Sequence, residues 1–156
     1  ILPDGSTFVL NAESVLTYNL DIWENTRTLN LEGEAFFEVK KGSKFTVNTP
    51  HGLVGVLGTK FNVRARNNTL EVNCQSGKVV VSDQDGNVFG ELIANEAIRI
   101  SENETIESWK TSPAEKASWV DGICSFKNVS LAVVLEELVR QYKVNVEAKN
   151  VDAKIK

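Results

Sequence analysis

Turn chemistry returns about every ten residues through the first 110 positions of this chain, and the segments between turns alternate apolar and polar side chains. Leu2-Pro3-Asp4-Gly5-Ser6 opens the series with Pro, Asp and Gly in turn positions. KKGSK (Lys40 to Lys44), RNN (Arg66 to Asn68) and DQDGN (Asp83 to Asn87) continue it, and Asp85-Gly86 is a hairpin dipeptide. Many short strands so spaced predict a sandwich, a barrel or a solenoid-like stack. Gly33, Gly58 and Gly77 each precede an alternating run, an irregular internal echo of the kind stacked solenoid turns produce.

LEGEAFFEV, Leu31 to Val39, tests whether the acids are chemistry or surface. At a period of two, Leu31, Gly33, Ala35, Phe37 and Val39 share one face, and Glu32, Glu34, Phe36 and Glu38 share the other. A working carboxylate pair usually contains one partly buried acid with a raised pKa. Nothing in the stretch demands that. It predicts a strand with Leu31, Ala35, Phe37 and Val39 inward and the glutamates solvated or hydrogen-bonded at turns.

After SWKTSPAEKASWVDG the pattern changes. CSF (Cys124 to Phe126) reads as a short strand. SLAVVLEELVRQYKV reads as a helix with Ser130 as N-cap and Leu131, Val134, Leu135, Leu138, Val139 and Tyr142 as its apolar face; Glu136 and Arg140 lie on its wet side. VNVEA (Val144 to Ala148) alternates as a strand. The fold class is therefore mainly β: a β-sandwich or solenoid-like lobe over residues 1–110, a linker over 111–122, and a small βαβ lobe over 123–156.

The chain of 156 residues carries 17 basic and 21 acidic side chains, without the basic excess of a nucleic-acid binder. Residues 1–110 hold 10 basic against 15 acidic side chains, and residues 111–156 hold 7 against 6. No apolar run approaches the ~18 residues of a membrane span. The chain starts at Ile1 in mid-pattern and contains no Met, which predicts a piece of a longer protein. Cys74 and Cys124 each sit in an alternating apolar context and are expected as two buried thiols, with a bridge reserved for an oxidising compartment.

Catalytic and metal chemistry find little support. His51 is the sole histidine, beside Pro50 and Gly52, and no G-x-S-x-G elbow exists. One His and two distant Cys do not offer a zinc site. LVGVLGTKFN lacks the Lys-Ser/Thr pair of a phosphate loop. No catalytic, metal or cofactor-binding residue is assigned, and no tightly bound cofactor is expected. A glycoside hydrolase would need two acids across a cleft, whereas Glu32 and Glu34 are next-but-one on a single strand. A carbohydrate-binding or structural β-module is the alternative, and would display Trp23, Trp109 or Trp119 as a platform. Otherwise the three tryptophans are expected at strand junctions and between the lobes.

LPDGSTFVLNAES, LNLEGEAFFEV, VLGTKFNVRA and CQSGKVVV, followed by WVDGICSFKNVSLAVVLEELVRQYKVNVEA, resemble the FecR family of anti-sigma regulators in order and spacing, over nearly the whole chain. LIANE (Leu92 to Glu96) departs from the family's LxPGE turn by lacking both Pro and Gly. The resemblance implies the periplasmic region of a single-pass inner-membrane protein, whose membrane helix and cytoplasmic domain lie outside this chain. It implies two partners: the N-terminal signalling domain of a TonB-dependent outer-membrane receptor, and an extracytoplasmic-function sigma factor held by the cytoplasmic domain. The tail resembles the opening of a secretin/TonB short N-terminal domain of the Bacteroidetes type. A βαβ start to such a domain leaves an open strand edge, which makes Cys124, Phe126, Val144, Val146 and Ala148 the candidate partner-binding residues.

Overall fold

A computed structural model describes residues 1–103, 105–112, 117–124, 126 and 130–146. The elements are β1 (Thr7–Leu10), β2 (Val15–Tyr18), a one-turn α1 (Trp23–Thr26), β3 (Thr28–Glu38), β4 (Phe45–Thr49), β5 (Gly52–Val56), β6 (Lys60–Arg66), β7 (Thr69–Ser76), β8 (Lys78–Ser82), β9 (Val88–Ile93), β10 (Glu96–Ile100) and β11 (Ile106–Lys110). A 3-10 turn at Ser118–Asp121 and helix α2 (Leu131–Tyr142) follow. The strands join in the order β11-β10-β7-β6-β3-β4-β5-β8-β9, with β1 and β2 also on β3. Only β3–β4 is parallel among these pairs. The mainly β expectation is met, and the run of antiparallel pairs is that of a folded-over sheet rather than stacked solenoid turns.

The long strand β3 joins the two halves of that fold. Leu29 and Leu31 lie where it pairs with β2, and β4 joins on the other side at Thr28 to Asn30. From Gly33 to Glu38 it pairs with β6, and β1 joins at Ala35 to Glu38. Gly33 is the hinge: its φ is +100°, and a Cβ there would stand 2.5 Å from Ser14 Oγ and 2.8 Å from Ser14 Cα. Only glycine accepts both the backbone and the space.

Alternation then fills the interior from both halves. Ala35, Phe37, Phe61, Val63, Leu70, Val72, Ile98 and Ile100 come from one; Leu29, Leu31, Phe45, Val47, Val54, Val79, Val81 and Leu92 come from the other. Phe37 binds the halves together. Its ring stacks on Phe61 with centroids 5.2 Å apart and meets Phe45 edge-on at 6.2 Å. Trp23 closes one end against Phe45 and Tyr18. Leu31, Ala35, Phe37 and Val39 are inward as expected.

Several expectations need correction. Glu34 is 7% exposed, not solvated; the outer face of its half is covered by the β1 end and the C-terminal region. Phe36, on the same face, is buried too. Cys74 is a buried thiol but Cys124 is exposed, and the two are not bridged. Helix α2 forms with Val133 N–H donating to Ser130 Oγ at 3.4 Å. However, Leu131, Val139 and Tyr142 of its supposed inward face are exposed, and Glu137 is its buried residue. The strands expected at Cys124–Phe126 and Val144–Ala148 do not appear among the described residues: Cys124, Phe126 and Val144 to Val146 carry no ladder, and Ala148 lies outside the description. At LIANE, Asn95 takes φ +71°, the left-handed conformation that Asn tolerates.

Candidate functional site

The outward side chains of β3, β6, β7, β10 and β11 form two aligned rows. Pairing places Glu34 opposite Arg64, Arg64 opposite Glu71, Glu71 opposite Arg99 and Arg99 opposite Glu107. The result is a ladder of alternating sign across five strands, the arrangement that stabilises cross-strand charge pairs. The neighbouring row runs Phe36, Asn62, Asn73, Ala97, Trp109.

Direct ion pairs join the Glu71–Arg99 and Arg99–Glu107 rungs, while Glu34 is held by amides. The Glu34 carboxylate accepts from Asn11 Nδ2 and Asn62 Nδ2, both at 2.8 Å. Arg99 reaches Glu71 at 2.8 Å and Glu107 at 3.6 Å, and its guanidinium lies 5.3 Å from the Trp109 ring centroid. Trp119 Nε1 donates to Asn62 Oδ1 at 3.3 Å, drawing the 3-10 turn onto the sheet. Between this face and the C-terminal region lies a cleft of about 670 Å³, whose walls include Arg64, Arg99, Trp109, Trp119, Cys124 and Phe126. Arg64 Nε, Asn73 Oδ1 and Thr111 Oγ1 on those walls are buried without a hydrogen-bond partner.

Helix α2 meets this face with its polar side. Glu137 lies 3.9 Å from Arg64 and 2.5 Å from Arg140. Arg140 also reaches Glu13 at 3.4 Å, Gln141 donates to Asn11, and Asn67 donates to Glu136 at 3.2 Å. Burial pushes the Glu137 pKa up, but the Gln141 hydrogen bond and the charges of Arg140, Arg64 and Arg66 outweigh it, so the net shift is downward. Burial and the nearby Arg140 charge lower the pKa of Arg66, which still bonds Ala12 O at 2.5 Å and Ser14 Oγ at 3.0 Å.

This geometry predicts an acid-sensitive latch. A depressed carboxyl contributes stability above its ordinary pKa of about 4.3, and loses it as pH falls through the lower folded value. Amide protection in α2, relative to the intrinsic exchange rate at each pH, should therefore fall below about pH 4 before protection in β7 and β10 does. Simultaneous loss of protection in α2 and those strands would refute the latch.

Chemically the face is suited to recognition. An arginine stands between successive carboxylates along the ladder, Arg64 between Glu34 and Glu71 and Arg99 between Glu71 and Glu107. Trp109 carries the Arg99 guanidinium over one face of its ring, Trp119 is tied to Asn62 through its indole N–H, and Trp23 is buried. Among the described residues no group of three or more His, Cys, Asp or Glu side chains is placed to hold a metal. Of the sequence-derived partner residues, Cys124 and Phe126 fall together on the cleft wall. Val144 and Val146 are exposed elsewhere, and Ala148 lies outside the described residues. Sequence reasoning missed the ladder and the buried Glu34; the one available signal was the two-residue turn Asn67-Asn68, which sets Arg64 against Glu71.

Residues 1–80 match the family described as FecR protein. Two crystal structures of a candidate anti-sigma factor from Parabacteroides distasonis ATCC 8503 superpose with TM-score 0.83 at 32% identity, covering 91% of this chain and 68% of that one. No curated protein matches.

Proposed function

The chain belongs to the FecR family, and on that premise we propose that it is the periplasmic, signal-receiving region of a membrane-anchored anti-sigma regulator. Its coarse role is that of an anti-sigma regulator; the finer reading gives it a TonB-dependent receptor's signalling domain as the incoming partner and an extracytoplasmic-function sigma factor as the outgoing one. The match of sequence family and fold to an anti-sigma factor carries the reading. The arrangement of the outer face supports it: a rigid β-lobe bears a C-terminal segment attached through ion pairs and hydrogen bonds, which a partner can displace at modest cost. Only a partner that binds the latched and released states unequally shifts their balance. Cys124, Phe126, Val144 and Val146 are exposed on the C-terminal segment, and docking is assigned there.

The test is titration of the isotopically labelled protein with the signalling domain of its cognate receptor. Perturbed amides around residues 117–146 are expected. Perturbation confined to residues 1–110 would remove docking from the C-terminal segment, and none at all would remove the receptor from the reading.

A further inference from the structure

Strand β11 ends the sheet path, pairing with β10 alone among the described strands. Its hydrogen-bond phase is fixed by the flanking bonds, Thr111 N–H to Asn95 O at 2.8 Å and Ser101 N–H to Thr105 O at 3.1 Å. Odd-numbered residues therefore turn their backbone groups toward β10, and Ile106, Ser108 and Lys110 turn theirs away from the sheet. Ile106, Glu107, Ser108 and Lys110 are all exposed. The strand has no Gly, Pro or bulge to blunt it. By contrast β1 and β2 are only four residues long, and β9 faces a bulge at Val81/Ser82 in its partner strand and carries Gly90. An edge this regular is a template for another strand.

The side chains state what that strand must carry. The ladder Glu34, Arg64, Glu71, Arg99, Glu107 alternates sign to its last rung, and Glu107, 59% exposed, has no cation on its outer side among the described residues. In a strand added to this edge, the residue opposite Glu107 occupies a non-hydrogen-bonded position, where side chains stand closest. On the other face Ile106 is 46% exposed beside buried Ile100.

We propose that β11 is a docking edge for an extended segment of a partner protein, with Lys or Arg opposite Glu107, a β-branched or aromatic residue opposite Trp109, and an apolar residue opposite Ile106. The added strand would border the cleft whose far wall carries Cys124 and Phe126, so the proposal deepens the receptor-docking reading and rests on it only for the identity of the partner. A second copy fits poorly. Antiparallel self-pairing about Ser108 sets Trp109 against Glu107 and Lys110 against Ile106, and a chain of net charge −4 repels its copy.

Capped eight-residue peptides of alternating Thr and Val, with one central Lys or one central Glu, are the probes. With the Lys peptide at millimolar concentration, amide exchange should slow at Ile106, Ser108 and Lys110, and the Lys peptide should bind about two- to fivefold better than the Glu peptide. Glu107→Lys should reverse that preference. Ser108→Pro removes an N–H that points away from the sheet, so it should abolish protection while leaving thermal unfolding nearly unchanged. Protection at other strands, an unreversed preference in the charge variant, concentration-dependent dimers blocked by Ser108→Pro, or no protection with either peptide would each overturn the proposal. Peptide docking at β11 without receptor-domain binding would instead sink the receptor reading and leave the edge standing.

Discussion

Replacing Phe37 by Ala is expected to cost about 3–5 kcal/mol, while Glu32→Ala costs well under 1 kcal/mol. Phe37 is fully buried and touches rings from both halves of the fold, Phe61 on β6 and Phe45 on β4, with Phe8 on β1 at 6.4 Å. Removing it opens a cavity where the halves meet, and the surrounding strands are pinned by their ladders, so little collapse can refill it. Glu32 is exposed on the same strand. Denaturant unfolding of both variants at neutral pH reads the difference. Equal losses would refute the assignment of faces along β3.

That assignment was legible because it needs only the period of two. The glutamates are not separated by that period. Glu32, Glu34 and Glu38 look equivalent in LEGEAFFEV, yet Glu34 alone is buried, because Asn11, Asn62 and the C-terminal segment, remote in sequence, close over it. One rung of the charge ladder was also within reach. Asn67 and Asn68 both have positive φ, as a two-residue hairpin requires, and that turn alone sets Arg64 against Glu71. The next rung, Glu71 with Arg99, requires β10 to return beside β7 after the β8–β9 excursion, which no local signal dictates. The flanking strands expected in the tail fall partly outside the described residues, but the helix carries its own signals, an N-cap and a 3.6-residue period. Its polar side then docked, because the sheet face it meets is itself a row of charges.

The other large effect is expected at Arg27, where Arg27→Met should cost about 3–5 kcal/mol at neutral pH, the loss typical when one partner of a buried pair is removed. Arg27 sits in the left-handed conformation at the end of α1 and is 6% exposed. Its guanidinium binds Asp4, donates to Ser43 O at 2.5 Å and Lys40 O at 3.0 Å, and lies 5.5 Å from the Phe45 ring centroid. One side chain thus fastens the N-terminal turn, the end of α1 and the loop before β4. Methionine fills much of the volume but strands two carbonyls and a carboxylate. Burial pushes the Asp4 pKa up, but hydrogen bonds from Ser6 and Arg27 and the Arg27 charge more than offset it, and the net shift is downward. The sign follows. The contribution of Asp4 is complete above the ordinary carboxyl pKa of about 3.9 and drains away as pH falls through its lower folded value. The stability gap between wild type and Arg27→Met should therefore narrow in acid, as the carboxylate that the variant leaves unpaired becomes neutral. A gap under about 1 kcal/mol at pH 7, or one that widens on acidification, would show that the pair is a surface contact in energetic terms and that Leu2 packing and the Lys40 N–H bond to Ser6 Oγ hold the N-terminal turn without it.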